Sequence, residues 1–172
     1  MQPNVNRSRL DPTNEPFLDR PIEDVHLKPL QRFSDERGWL VELFRNDELA
    51  KLFHPQMAYV SQTLPGVARG PHEHVSQADL FGFFGPGDFK LYLWDTRIGS
   101  PSYWHRQVVV VGQSNMMSAI IPPGVVHAYK NISAQPGLVF NAPNRLYAGP
   151  GKTEPVDEIR HEADANTPFV LD

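Results

Sequence analysis

Two stretches, Gly66-Val67-Ala68-Arg69-Gly70-Pro71-His72-Glu73-His74 and, further along, Pro122-Pro123-Gly124-Val125-Val126-His127, carry the residues best suited to chemistry in this chain. Three histidines stand at the ends of short apolar runs closed by glycine and proline turns, two of them one residue apart. Residues i and i+2 of a β-strand point to one face, so His72 and His74 project together. If that face is the inside of a barrel, His127 reaches the same interior from another strand. The mouth of a barrel is where a binding or catalytic site is expected. The alternative is an edge strand that presents its histidines to water.

Two chemistries compete for these residues. His72, His74, Asp79 and His127 together offer imidazoles and a carboxylate, an adequate shell for a divalent transition metal such as Fe, Mn, Ni, Cu or Zn. Proton abstraction beside a carbonyl is the other. An imidazole with an unperturbed pKa of about 6.5 suits a general base, which is the part His72 would take. Arg69, three residues earlier, offers a permanent positive charge to an enolate or a phosphate.

The elements that must position these groups are mostly short strands. Residues 1–28 hold Pro3, Pro12, Pro16 and Pro21 among many polar residues, and are expected to form an extended arm ordered by packing on a partner. Arg37-Gly38 reads as a turn before a strand over 39–44. Residues 47–53 are the best helix candidate, with Asn46 as N-cap, acidic residues in the first turn and Pro55 as the stop. From Met57 to Tyr147 the pattern predicts strands over 57–63, 79–84, 89–95, 107–111, 117–121, 127–132 and 138–141. The strand over 89–95 alternates and is expected to be half buried. Short strands with Gly/Pro turns give an all-β sandwich or barrel of the jelly-roll kind. Its domain plan is an arm over 1–28, a barrel over 29–149 and a polar C-terminal extension over 150–172. Trp94, Trp104, Phe81, Phe83 and Phe84 are expected in the core, Tyr92 and Tyr129 as packing residues, and His26, His54, His105 and His161 at the surface.

Composition narrows the function classes. A chain of 172 residues suits one well-buried domain, and 40% apolar with 10% aromatic residues is ordinary for a globular protein. Zero cysteines exclude disulfides, thiol catalysis and thiolate metal sites, and fit a reducing cytoplasm. The formal charge of −4 argues against a general nucleic-acid binder. No apolar run approaches the roughly 20 residues of a membrane span, and the first residues do not read as a secretory signal.

Resemblance adds to this. Gly66 with His72-x-His74 and Asp79, then Pro122-Pro123-Gly124 with His127 and Asn131, resembles the two metal motifs of the cupin superfamily, with Asp79 where that superfamily has glutamate. A longer resemblance runs through four ordered blocks over about residues 30–147. These are Asp35-Glu36-Arg37-Gly38-Trp39-Leu40-Val41-Glu42, Gly66-Val67-Ala68-Arg69-Gly70-Pro71-His72, the block from Trp94 to Trp104, and Ile121-Pro122-Pro123-Gly124-Val125-Val126-His127. Together they resemble the dTDP-4-dehydrorhamnose 3,5-epimerase family. That resemblance implies a cytoplasmic, homodimeric, cofactor-free cupin jelly roll acting on a nucleotide-linked 4-keto-6-deoxy sugar, with no nucleic-acid or membrane partner. It implies His72 as the base beside the ketone and Arg69 as the contact to diphosphate or sugar. Arg37 and Glu42 would help hold the nucleotide, with His74 and His127 as pocket residues. In such family dimers the N-terminal strands are exchanged, which would employ residues 1–28.

Departures accompany it. Phe140 stands where the family has its catalytic tyrosine, so Tyr147 is the substitute acid that the alignment offers. Asp79 stands where a pocket lysine is expected, and the aspartate that pairs with the base has no counterpart. Arg37, Glu42 and Arg97 can equally be ordinary surface or inter-strand pairs. Single epimerisation or a keto-sugar isomerisation then fits as well as the double reaction. Two further readings stay open. One is a metal-dependent cupin enzyme, a dioxygenase or isomerase, with one divalent ion on His72, His74, Asp79 and His127. The other is a non-catalytic cupin that binds a sugar or nucleotide.

Overall fold

Apolar runs of this length, broken at Gly66, at Gly85-Pro86-Gly87, at Gly112 and at Pro122-Pro123-Gly124, are too short for stable helices and pair as strands instead. A computed structural model describes residues 16–172. In chain order the strands are β1 (Leu18–Asp19), β2 (His26–Pro29), β3 (Arg32–Asp35), β4 (Gly38–Val41), β5 (Tyr59–Thr63), β6 (Ala68–Glu73) and β7 (Asp79–Phe83). They continue with β8 (Asp88–Asp95), β9 (His105–Gly112), β10 (Met117–Ile121), β11 (Val125–Asn131), β12 (Gly137–Asn141) and β13 (Ile159–Arg160). One sheet has the order β1-β9-β8-β11-β6-β13 and the facing sheet β2-β10-β7-β12-β5, which is the expected cupin jelly roll. β3 and β4 form a separate hairpin.

Alternation decides what fills the barrel. Phe81, Phe83, Phe89, Leu91, Leu93, Tyr129 and Val139 turn inward into one cluster. Rings of Phe81, Phe83 and Phe89 each stand 5.7–5.8 Å from Tyr129, mostly edge-on. This aromatic plug closes the barrel beneath the histidines, and Phe81 touches the His127 ring at 5.7 Å between centroids.

Several segments differ from the sequence expectation. The strand expected to be half buried, β8, is buried on both faces from Leu91 to Asp95. Its outer residues Tyr92 and Trp94 lie in a second core with Phe169, against which Phe17 packs. That cover comes from the supposed extension, so no structural division falls at residue 149. Residues 16–28 likewise belong to the barrel of their own chain, β1 running parallel to β9 and β2 antiparallel to β10. The remainder of the expected arm lies outside the described residues. In place of a helix over 47–53 there are turns at Asn46–Glu48 and a 3-10 turn over Lys51–Phe53, because a segment this short cannot repay helix nucleation before Pro55. His161 is partly buried, bonded to Glu73 at 3.2 Å and packed on Phe169. Trp104 stacks on Phe17 at 4.1 Å, outside the barrel interior. Among the described residues no helix is long and apolar enough to cross a membrane.

Candidate active site

β6 and β11 are neighbours in the larger sheet, and His72 lies directly opposite His127 in their ladder. The close approach depends on Gly70, whose φ is +80° and where a Cβ would fall 2.5 Å from the His127 carbonyl oxygen. Only glycine meets both demands at once. β11 takes a register irregularity just beyond, between His127 and Tyr129. His74 follows the end of β6, and its carbonyl accepts the Gly124 N–H from the Pro122-Pro123-Gly124 turn. Asp79 opens β7 in the facing sheet, so its carboxylate approaches the imidazoles from across the barrel.

The ligand atoms of His72, His74, Asp79 and His127 all lie within 4.8 Å of one another. Asp79 Oδ2 is 3.2 Å from His74 Nε2 and 3.2 Å from His127 Nε2. The other ring nitrogens are committed to backbone: His127 Nδ1 donates to the Val125 carbonyl at 3.0 Å, and His74 Nδ1 donates to the Asp157 carbonyl. Gln77 Nε2 donates to Asp79 Oδ1 at 2.9 Å. Burial alone would raise the Asp79 carboxyl, but the His127 and His74 imidazoles beside it hold it well below the usual range. His74 is pushed upward, because Asp79 outweighs its burial. His72 is pushed down to about 2 by burial and by His127 and His74, so it is neutral at ordinary pH.

The C-terminal segment completes the arrangement. β13 pairs with β6, Arg160 opposite His72, which sets Glu158 4.0 Å from His72 Nε2. The Asp157 carboxylate accepts the N–H groups of Val75, Ser76 and Gln77 at 2.8–2.9 Å and so fixes the turn between His74 and Asp79. Neither acid was foreseen, and neither carries a spacing signal, since Asp157 stands 80 or more residues from the turn it holds and Glu158 meets His72 only through strand pairing.

An open cavity of about 2500 Å³ lies above this cluster, lined by His72, His74, Arg69, Tyr59, Tyr129 and Tyr147 among others. That exceeds the roughly 300–1,000 Å³ of a pocket for a compact ligand and leaves room for an extended one. His127 and Asp79 lie beneath its floor, 1% and 2% exposed, and do not face it. Arg69 Nε donates to the Thr63 hydroxyl and Nη2 to the Gln62 carbonyl. Tyr147 borders the cavity as an exposed residue. Tyr129, expected as packing, lines it too, with its hydroxyl 3.1 Å from that of Ser61.

Tyr59 was missed. Its phenol is pushed up to about 12 by burial and then by the charge of Asp79, and its oxygen accepts from Asn141 Nδ2 at 2.7 Å. A signal was available, since Tyr59, Ser61 and Thr63 place polar groups at period two on one face of a strand. Phe140 does not occupy the cavity. It turns outward with Leu43 and Phe44, on the face where Gly82 leaves space, while Val139 and Asn141 face in.

Two expected binding residues stand elsewhere in the single chain. Arg37 is paired with Asp35 at the tip of the β3–β4 hairpin, its side chain 84% exposed. Glu42 follows that hairpin, 3.8 Å from Arg45. Neither lines the cavity. Arg97 borders it but is committed to Asp95 through Nε and Nη2, both at 2.9 Å, and to the Glu23 carbonyl. Ser100 and Ser102 complete the shell of the fully buried Asp95, so this block folds a loop.

Comparison with known proteins adds independent findings. The family model described as dTDP-4-dehydrorhamnose 3,5-epimerase matches residues 19–153. A probable low-salt glycan biosynthesis epimerase of Haloferax volcanii is 36% identical over 127 residues, 73% of this chain and 81% of that protein. Among solved structures, a dTDP sugar isomerase from Desulfovibrio desulfuricans superposes with a TM-score of 0.74 at 23% identity, covering 88% of this chain and 91% of the other. The 3,5-epimerase of Legionella pneumophila in complex with dTDP-4-keto-L-rhamnose gives 0.70 at 21% identity, covering 91% and 81%.

Proposed function

The chain belongs to the dTDP-4-dehydrorhamnose 3,5-epimerase family, and from that premise we propose that it epimerises a nucleotide-linked 4-keto-6-deoxy sugar, with His72 as the base. The observation that carries this reading is a neutral, cavity-facing imidazole held against a carboxylate, His72 beside Glu158 at 4.0 Å. His72 takes the proton next to the ketone, and the bond's electrons move onto the ketone oxygen as an enolate. Glu158 stabilises the imidazolium that results, which matters because the buried ring gains a proton reluctantly. Tyr59 keeps its proton at neutral pH and serves as the donor that returns one to the opposite face of the carbon. Tyr147 is then a wall of the cavity, and Arg69 reaches the diphosphate from the rim. The Legionella protein's ligand, dTDP-4-keto-L-rhamnose, supports this substrate class.

The active unit in this reading is a cytoplasmic homodimer. Phe33, Trp39 and Leu40 on the β3–β4 hairpin are 49%, 50% and 61% exposed, an apolar surface that invites a partner. Arg37 and Glu42 ride on or beside that hairpin, so they serve a nucleotide in the cavity of the second copy. Incubation with dTDP-4-keto-6-deoxyglucose, borohydride reduction and sugar analysis tests the proposal. New hexose configurations at C3 or C5 support it, and recovery of the starting configuration alone contradicts it.

A further inference from the structure

We propose that Asn141 is a positioning residue for Tyr59: its buried amide donates a hydrogen bond to the phenol oxygen, which leaves the phenolic proton for the substrate and supports the oxygen that gives it up. The inference deepens the epimerase reading and rests on it for the chemistry, though not for the effect of Asn141 on the phenol.

The ladder brings the two side chains together. Asn141 closes β12 directly opposite Tyr59, which opens β5, and residues opposite one another in a ladder share a face. β12 alternates, burying Val139 and Asn141 and leaving Leu138 and Phe140 half-buried. Asn141 also lies opposite Phe81 in β7, so it is enclosed between two strands and only 3% exposed. Both Tyr59 and Asn141 line the cavity. They do so from the smaller sheet, while His72 comes from the larger one. A base and an acid on facing sheets suit a proton removed from one face of a sugar and returned to the other.

The hydrogen bond has a fixed direction. Asn141 Nδ2 donates to Tyr59 Oη at 2.7 Å. An amide nitrogen donates and does not accept, so the phenol's own hydrogen plays no part in that bond. Among the described residues no acceptor takes that hydrogen. Tyr129 differs. Its hydroxyl, in the same cavity, meets the Ser61 hydroxyl at 3.1 Å, where either oxygen can donate. The other end of the Asn141 amide is the second observation: Oδ1 is fully buried and, among the described residues, has no hydrogen-bond partner. With the two ends exchanged, the buried end would be an NH2 group without an acceptor, the rarer arrangement in proteins. A buried polar group so poorly satisfied needs a reason beyond packing. The bond to the phenol is that reason.

Charge gives the contact its purpose. When Tyr59 donates, the enolate's electron pair forms the new C–H bond, the ketone is restored, and the O–H pair stays on Oη as a phenolate. Burial first and Asp79 second oppose that negative charge, whereas Asn141 favours it. Arg69 is engaged with Thr63 and Gln62, so among the described residues the amide is the donor directed at this oxygen. Solvent in the open cavity returns a proton to Oη before the next turnover.

Fluorine NMR of protein carrying 3-fluorotyrosine, a more acidic phenol than tyrosine, tests the contact without substrate. The Tyr59 resonance is identified by its loss in Tyr59→Phe, and pH is raised over the range in which circular dichroism shows an intact fold. Tyr59 should ionise at lower pH in the wild type than in Asn141→Leu, with Tyr92 and Tyr103 unchanged. Asn141→Ala, which cannot crowd its neighbours, takes the place of the leucine variant if that one does not fold. In D2O with dTDP-4-keto-6-deoxyglucose, the variant should still exchange sugar protons through His72. It should form inverted sugar about 10- to 100-fold more slowly, the loss expected for a hydrogen bond to a developing charge. Deuterium should thus accumulate in sugar of unchanged configuration. Identical Tyr59 titration in wild type and variant overturns the proposal, and so does inversion that falls only in step with exchange. The expected shift in titration, together with a wild type that exchanges no sugar proton, would uphold the relation of Asn141 to Tyr59 and sink the substrate reading. Exchange and inversion at wild-type rates in the variant would do the reverse.

Discussion

His72 and His127 face each other across the β6–β11 ladder with ring centroids 4.4 Å apart, although far apart in the chain. Two residues before His72, the two backbones also approach tightly. Gly70 is where they do so. The site is thus built on a backbone contact as much as on its side chains.

Gly70→Ala is therefore expected to damage fold and site together. The substitution forces a Cβ into the His127 carbonyl from a left-handed φ of +80°, at a cost of at least about 1–2 kcal/mol. Thermal denaturation should show a fall of several degrees, at roughly 2–4 °C per kcal/mol for a chain of this size, with weakened ligand binding at His72.

Asp95→Asn should destabilise the loop over 96–104 by about 2 kcal/mol, below the usual figure for breaking a buried pair because Arg97 retains some exposure. Burial works against the Asp95 charge, but Arg97, Ser102 and Ser100 overcome it and hold the carboxyl below its ordinary 3.8. A depressed acid contributes its full stability above the unfolded value, and loses it as pH falls through the folded one. The gap in melting temperature between wild type and variant should thus be constant from neutral pH to about 5 and narrow below about 4.

Phe169→Ala tests whether the tail belongs to the fold. Phe169 is 3% exposed and packs on Trp94 at 5.5 Å and Phe17 at 6.0 Å. Loss of a buried phenylalanine should cost about 3–5 kcal/mol. A change under about 0.5 kcal/mol in denaturant titration, typical of surface positions, would mean the tail is only loosely attached.

The jelly roll and the histidine cluster were legible because both follow from period two and from Gly/Pro punctuation. His72, His74 and His127 stand at ends of such runs, and Asp79 opens the next. Asp157 and Glu158 were not legible. They come from a polar segment without periodicity, and only the pairing of β13 with β6 brings them to His72 and the 75–77 turn. The same tail explains why the half-buried expectation for β8 failed: Phe169 covers its outer residues Tyr92 and Trp94. Phe140 misled in the opposite sense, since standing where the family has its tyrosine said nothing about which face of β12 it occupies.

The hairpin bears on association. Trp39→Glu with Leu40→Glu should shift the protein from dimer to monomer in light scattering at micromolar concentration. Both side chains are already largely exposed in the single chain, so its melting temperature should hold. A wild-type protein that is itself monomeric under these conditions would remove the role assigned to Arg37 and Glu42.

Exchange of sugar protons for solvent deuterium tests the central claim most directly, because it reads proton abstraction whether or not the product accumulates. In D2O, wild-type protein should introduce deuterium at C3 or C5 of dTDP-4-keto-6-deoxyglucose. His72→Asn, with cavity and fold intact, should slow that exchange by about 10²- to 10⁴-fold, the usual contribution of a general base. No exchange by the wild type, or equal exchange by the folded variant, would contradict the assignment of His72 as the base.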